Sequence, residues 1–147
     1  LELNFIGGAV LFAVGHILFF VSYCFIEKFN FKDLIIGAFI FVASTLLITL
    51  APCFEFSSVL LEVVAVIYAL IISLMLGKAI TNLIRNTSIL NLLIVVGSVL
   101  FFFSDLMLLF NVFSVIESAV FGILCLATYY PAEYLLAYSI YESKDEE

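Results

Sequence analysis

Charge is what this sequence has least of. Asp, Glu, Lys and Arg together make up 12 % of its 147 residues and hydrophobic residues 66 %, with a mean hydropathy of +1.34. Soluble domains run at roughly 45–50 % apolar residues, so a water-soluble fold is excluded. Cysteine is sparse too: Cys24, Cys53 and Cys125 lie far apart, are odd in number and form no CxxC pair. That pattern gives no disulfide framework and no metal site, and packing is their expected role. There is no metal-ligand cluster, phosphate-binding glycine loop, nucleophile elbow or nucleic-acid feature, so no metal, cofactor or nucleic-acid partner is expected. The first residues lack the charged and short apolar regions of a signal peptide. No soluble domain, long linker or low-complexity tract interrupts the chain.

What fills the sequence is a series of nearly uncharged runs of about 18–25 residues, each long enough to cross about 30 Å of hydrocarbon. These runs are apolar on all sides. Strands of a membrane barrel would alternate in polarity, so helices are the reading that satisfies every backbone group internally. The expected fold is therefore all-α, a polytopic transmembrane bundle forming one domain over 1–147, with spans at about 5–26, 34–51, 57–77, 89–110 and 115–140. The connections EKFNFKD, PCFEFS and KAITNLIRNTS and the NVFS beginning at Asn111 carry the polar and turn-forming residues. The third connection is long enough for a short interfacial helix.

The five basic residues, Lys28, Lys32, Lys78, Arg85 and Lys144, all fall on one side of this arrangement, and the other side has Glu2, Glu55 and Glu117. By the positive-inside rule the first residue is outside and the acidic tail cytoplasmic, in a multi-pass protein of a bacterial-type cell membrane. The net charge of -7 comes mostly from Glu142, Asp145, Glu146, Glu147 and the short loops, and reads as solvation. A chain that starts with Leu1 on the outside is expected to be the C-terminal portion of a longer protein, with an odd number of helices upstream.

A pattern recurs along the spans. GAVLFAVGH from Gly8, GAFIFVAST from Gly37 and GSVLFFFSD from Gly97 each run from a glycine through a phenylalanine to a polar residue. Offsets zero, four, seven and eight fall largely on one helical face, so each helix offers a glycine for close approach and a polar group at the end of the stripe. Small residues recur in any membrane helix, which explains the glycines. It does not explain His16, Thr45 and Asp105 at the same offset, and a duplicated unit converging on one polar centre is expected.

A carboxylate in hydrocarbon costs at least about 2.5–3.5 kcal/mol and normally faces a bundle interior or wet cavity. Asp105 has no neighbouring charge to draw it to an interface. A helix-to-helix hydrogen bond is its alternative role, but Asn or Ser would serve there without the charge. Glu133 follows Tyr129 by four residues and Tyr130 by three, which sets phenols and a carboxylate on one face of the last helix. Pro131 frees the carbonyl of Ala127 beside them. Glu62, near a helix end, reads as reaching the interface. His16 is the only histidine, and within a span it can exchange protons near neutral pH. Tyr23 lies two turns below it. Tyr68 and Met75 form a similar stripe, with packing expected for Met75 and the role of Tyr68 open. Lys78 and Arg85 could hold a lipid phosphate, although topology already accounts for them.

The segments GAVLFAVGHILFFVSY, VIYALIISLMLGKA, GSVLFFFSDLMLLFNVF and LATYYPAEYLLAYS resemble, in order, signature segments of the YhhN-like lysoplasmalogenase family, whose members have about eight helices. The resemblance implies hydrolysis of the vinyl ether bond of a lysophospholipid substrate, a lysoplasmalogen, to a fatty aldehyde and a glycerophospho-head group. It departs at Glu133, where the family usually carries Gln, and in lacking the family's upstream Gly-Asp helix. Vinyl ether hydrolysis begins with proton transfer to carbon, so a protonated acid and a nearby anion are both useful. Asp105 is the expected acid/base or cation stabiliser, His16 and Tyr129 the orienting or proton-relaying groups, and Glu133, Tyr130, Thr45 and Tyr68 the residues around the substrate. The competing readings are a non-enzymatic carrier of lipids or other small molecules and a structural subunit. Oligomeric state is not readable.

Overall fold

The computed structural model describes the backbone of residues 2–145 and the side chains of 4–141; the acidic tail read above as solvated therefore lies outside the described side chains. The fold is all-α, with α1 over Glu2–Ile26, α2 over Phe31–Leu50, α3 over Val59–Arg85, α4 over Ile89–Phe113 and α5 over Ala119–Asp145. All five helices are long and apolar enough to cross a membrane. Large apolar side chains such as Leu11, Phe25, Phe39 and Leu50 stand exposed on them, which suits a hydrocarbon solvent and would be a liability in water. By its contacts the chain divides within α3 into two compact units, Leu1–Lys78 and Ala79–Glu147.

In the first unit, α2 starts three residues earlier than the hydrophobic run does. Asn30 caps it: the Asn30 side chain accepts from the Lys32 amide and the Asp33 carboxylate from the Asn30 amide at 2.9 Å, a reciprocal capping box. Such a box satisfies amides that the first helical turn leaves without partners. Asp33 therefore belongs to the helix and not to the connection. The backbones of α2 and α3 meet closely at Gly37 and Gly77, where a β-carbon on Gly77 would sit 2.5 Å from the Gly37 nitrogen.

The other correction concerns Lys78. The expected break after Gly77 and the separate interfacial helix are absent among the described residues, and α3 runs unbroken to Arg85. Its stretch from Ser73 to Asn82 holds four of the buried polar or charged side chains, Ser73, Lys78, Thr81 and Asn82, with Lys78 at 0 % exposure. Lys78 does not end the helix because its charge is met inside the protein, by Asp33. It is thus neither a loop cation nor open to a lipid phosphate.

In the second unit, Ser88 caps α4 by accepting from the Asn91 amide, and Asn91 donates to the Asn86 carbonyl at 2.9 Å. Helices α4 and α5 pack along Gly97, where an added β-carbon would meet Leu136 at 2.7 Å. The face that α5 buries carries Ala132, Leu136 and Ser139, spaced three and four residues apart as one helical stripe requires. Two of the three motif glycines thus sit at close helix contacts. Gly8 does not: nothing lies within 4 Å of a β-carbon built there, which corrects the expectation that all three serve close approach.

Candidate active site

The residues singled out by chemistry fall into two groups, one in each unit. In the second unit α4 presents Phe101, Ser104 and Asp105, and α5 presents Cys125, Tyr129 and Glu133. Ser104 Oγ donates to the Cys125 carbonyl at 2.9 Å, which ties the helices together one residue before Asp105. Phe101 is buried and stands edge-on to Tyr129, with centroids 5.4 Å apart at 80°. Asp105, Tyr129 and Glu133 are each partly buried.

Tyr129 is the centre of this group. Its hydroxyl donates to Glu133, one turn on, and the charges of Glu133 and Asp105 both bear on it. Tyr130 touches it edge-on at 5.5 Å but points outward, 66 % exposed. The i, i+4 spacing on α5 makes the Tyr129–Glu133 pair, and the register of α4 against α5 brings Asp105 to it. Pro131 lies inside the helix and leaves the Ala127 carbonyl without its usual amide donor.

In the first unit His16 is buried at 1 % exposure. Its Nδ1 lies 2.6 Å from the Phe12 carbonyl. A carbonyl only accepts, so Nδ1 carries a proton, and in the neutral ring the lone pair is on Nε2. The ring stands edge-on to Tyr68, centroids 5.6 Å apart at 70°. Thr45 Oγ1 and Ser73 Oγ are buried without a hydrogen-bond partner among the described residues. Tyr23 and Met75 are core residues, at 2 % and 0 % exposure.

Sequence reasoning missed one polar cluster. Lys78 Nζ donates to Asp33 Oδ2 at 2.9 Å and to the Lys28 carbonyl at 3.3 Å. The available signal was Asn30 followed three residues later by Asp33 just before an apolar run, which marks a helix start and places Asp33 on α2. A shallow groove lined by Leu83, Ile84, Thr87, Ser88, Ile89 and Leu92 is far from the chemistry, since Ile89 and Asp105 are about 24 Å apart along α4.

The family model described as the YhhN family matches residues 1–140. The chain belongs to the YhhN family. No curated protein and no solved structure matches it. For this YhhN-family protein, the match takes in α1 to α4 and α5 as far as residue 140, and with them both groups of polar residues.

Proposed function

We propose that this YhhN-family protein is a lysoplasmalogenase-type hydrolase, which adds water to the vinyl ether bond of a lysoplasmalogen and releases a fatty aldehyde and the glycerophospho-head group. The observation that carries this reading is the convergence of Asp105, Tyr129 and Glu133 in one unit of a membrane protein. A membrane-embedded carboxylate beside a second one, with a phenol between them, is costly to keep and is normally functional.

The reaction needs one acid that later acts as a base. The Asp105 carboxyl gives its proton to the vinyl carbon remote from oxygen, and the electron pair of the double bond forms the new C–H bond. The positive charge left on the carbon attached to oxygen is shared with that oxygen and stabilised by the Asp105 carboxylate. Water adds to this carbon and returns a proton to Asp105, and the hemiacetal collapses to aldehyde and alcohol. Glu133 holds the Tyr129 hydroxyl, which orients the water or the ether oxygen. His16, with a proton on Nδ1 and a lone pair on Nε2, is suited to proton relay and is proposed for it on that chemistry alone. The acidic tail is proposed to lie on the cytoplasmic side of a bacterial-type membrane.

The test is aldehyde release by the protein in lipid vesicles, from a vinyl-ether lysolipid beside its ester analogue. Aldehyde should form from the vinyl ether alone and fall by about 10²- to 10⁴-fold in Asp105→Asn. If folded, lipid-binding protein releases none, the hydrolase reading fails and a carrier becomes the better description.

A further inference from the structure

One face of α5 changes its chemistry half-way along. Val120, Ile123 and Leu126 are exposed on it, and Tyr130, Tyr134, Tyr138 and Tyr141, also exposed, continue it. At about 100° per residue all seven fall within an arc of about 120°, on the side away from the buried Ala132 and Leu136. The aliphatic half suits lipid tails. The tyrosine half does not, because a phenol hydroxyl facing hydrocarbon has given up its water and gained no acceptor.

An aromatic belt at the membrane surface accounts for tyrosines at a helix end. This row is longer, running inward from Tyr141 for about 16 Å to Tyr130, beside Pro131. Its rings are ordered: Tyr134 stacks on Tyr138 and Tyr138 on Tyr141, each with centroids 6.2 Å apart. Its inner end adjoins the candidate active site through the Tyr130–Tyr129 contact of 5.5 Å and through Glu133 on the next turn.

We infer that this face of α5 is the cradle for a single-chain glycerophospholipid. The lipid lies along the helix with its tail on Val120, Ile123 and Leu126 and its glycerol and phosphate oxygens accepting from the hydroxyls of Tyr134, Tyr138 and Tyr141. The head group belongs to the leaflet at the Tyr141 end. The inference deepens the hydrolase reading and rests on it for one point, that the bond joining tail to head lies where the face changes chemistry, alongside Tyr129 and Glu133. A lipid with two chains would press its second tail onto the tyrosines, so the cradle should prefer lysolipids.

The test uses the full chain in phosphatidylcholine nanodiscs and an ester-linked lysophosphatidylcholine carrying a nitroxide on its chain, with the immobilised fraction read by electron paramagnetic resonance. Tyr134→Phe, Tyr138→Phe and Tyr141→Phe together keep the rings and remove three donors. Relative affinity should fall about tenfold, the sum of three hydrogen bonds at the low end of their net worth. Tyr23→Phe, at a buried position on α1, is the control that should bind as wild type does. If the triple variant does not fold, Tyr134→Phe and Tyr138→Phe alone should each lower affinity about twofold. Equal immobilisation in wild type and variants overturns the cradle, as does a triple variant that binds lysolipid normally but loses self-association, which would make the face a contact between copies. Aldehyde release from a vinyl-ether lysolipid, added to parallel nanodiscs of the same protein preparations in place of the ester-linked probe, separates the two proposals: binding lost on substitution with no aldehyde from wild type keeps the cradle and removes the hydrolase, and the opposite pair of results does the reverse.

Discussion

Lys78 Nζ lies 2.9 Å from Asp33 Oδ2, with the two side chains 0 % and 1 % exposed. Both charges have further partners. The ammonium also donates to the Lys28 carbonyl, and the carboxylate also accepts from the Asn30 amide. The pair therefore joins the start of α2 to α3 through groups whose hydrogen bonds offset much of the cost of burial.

Removing one partner should be worse than removing both. Lys78→Met leaves a buried carboxylate and Asp33→Asn a buried ammonium, each a loss of about 3–5 kcal/mol. The double variant retains the capping role at position 33 and should recover more than half of that loss. Thermal unfolding in detergent, followed by circular dichroism, measures it; strictly additive losses would show that the two charges are not coupled.

The glycines should separate by position. Gly77→Ala pushes a methyl group against the Gly37 backbone, at 2.5 Å from N and 2.7 Å from Cα, and backbone cannot move aside as a side chain can. A loss of about 1–3 kcal/mol is expected. Gly8→Ala enters open space and should hold or slightly raise the melting temperature, since Ala is the better helix former by about 0.5–1 kcal/mol. Matching melting temperatures for the two variants would contradict the close approach of α2 and α3.

At the candidate active site the variants should rank by what they remove. Asp105→Asn takes the carboxyl proposed to react and should cost most aldehyde release. Tyr129→Phe keeps the edge-on contact with Phe101 and loses the hydroxyl; Glu133→Leu loses the group that holds that hydroxyl. These two should fall together, by about tenfold or more. Glu133→Gln retains an acceptor for Tyr129 and should lose the least. Initial rates at saturating lysolipid decide it, and a Glu133→Gln loss equal to that of Asp105→Asn would make Glu133 a proton donor in its own right.

The five spans are legible in the sequence because hydrocarbon admits so few backbone arrangements that composition and length suffice. The Tyr129–Glu133 pair is legible as well, since helical spacing alone sets it. Lys78 is different. A lysine after an apolar run ends a span if it meets water and continues it if it meets a carboxylate, and the carboxylate here is forty-five positions away in the chain. The place of Asp105 beside Tyr129 depends likewise on how α4 slides along α5, which Gly97, Phe101 and Ser104 set through contacts with Leu136, Tyr129 and Cys125. No periodicity within one helix contains that register.

The distance in sequence between Asp33 and Lys78 has a consequence for biosynthesis. The ribosome delivers α2 with its acid well before α3 with its base, and Lys78 must be drawn about 10 Å inward from the Arg85 end of its helix. A lone lysine at such a depth resists leaving the insertion machinery, whereas one that finds Asp33 already waiting enters as half of a neutral pair. Helices α2 and α3 are then released into the bilayer as a hairpin, and a chain stalled or cut between them should leave α2 with an acid that has nothing to neutralise it.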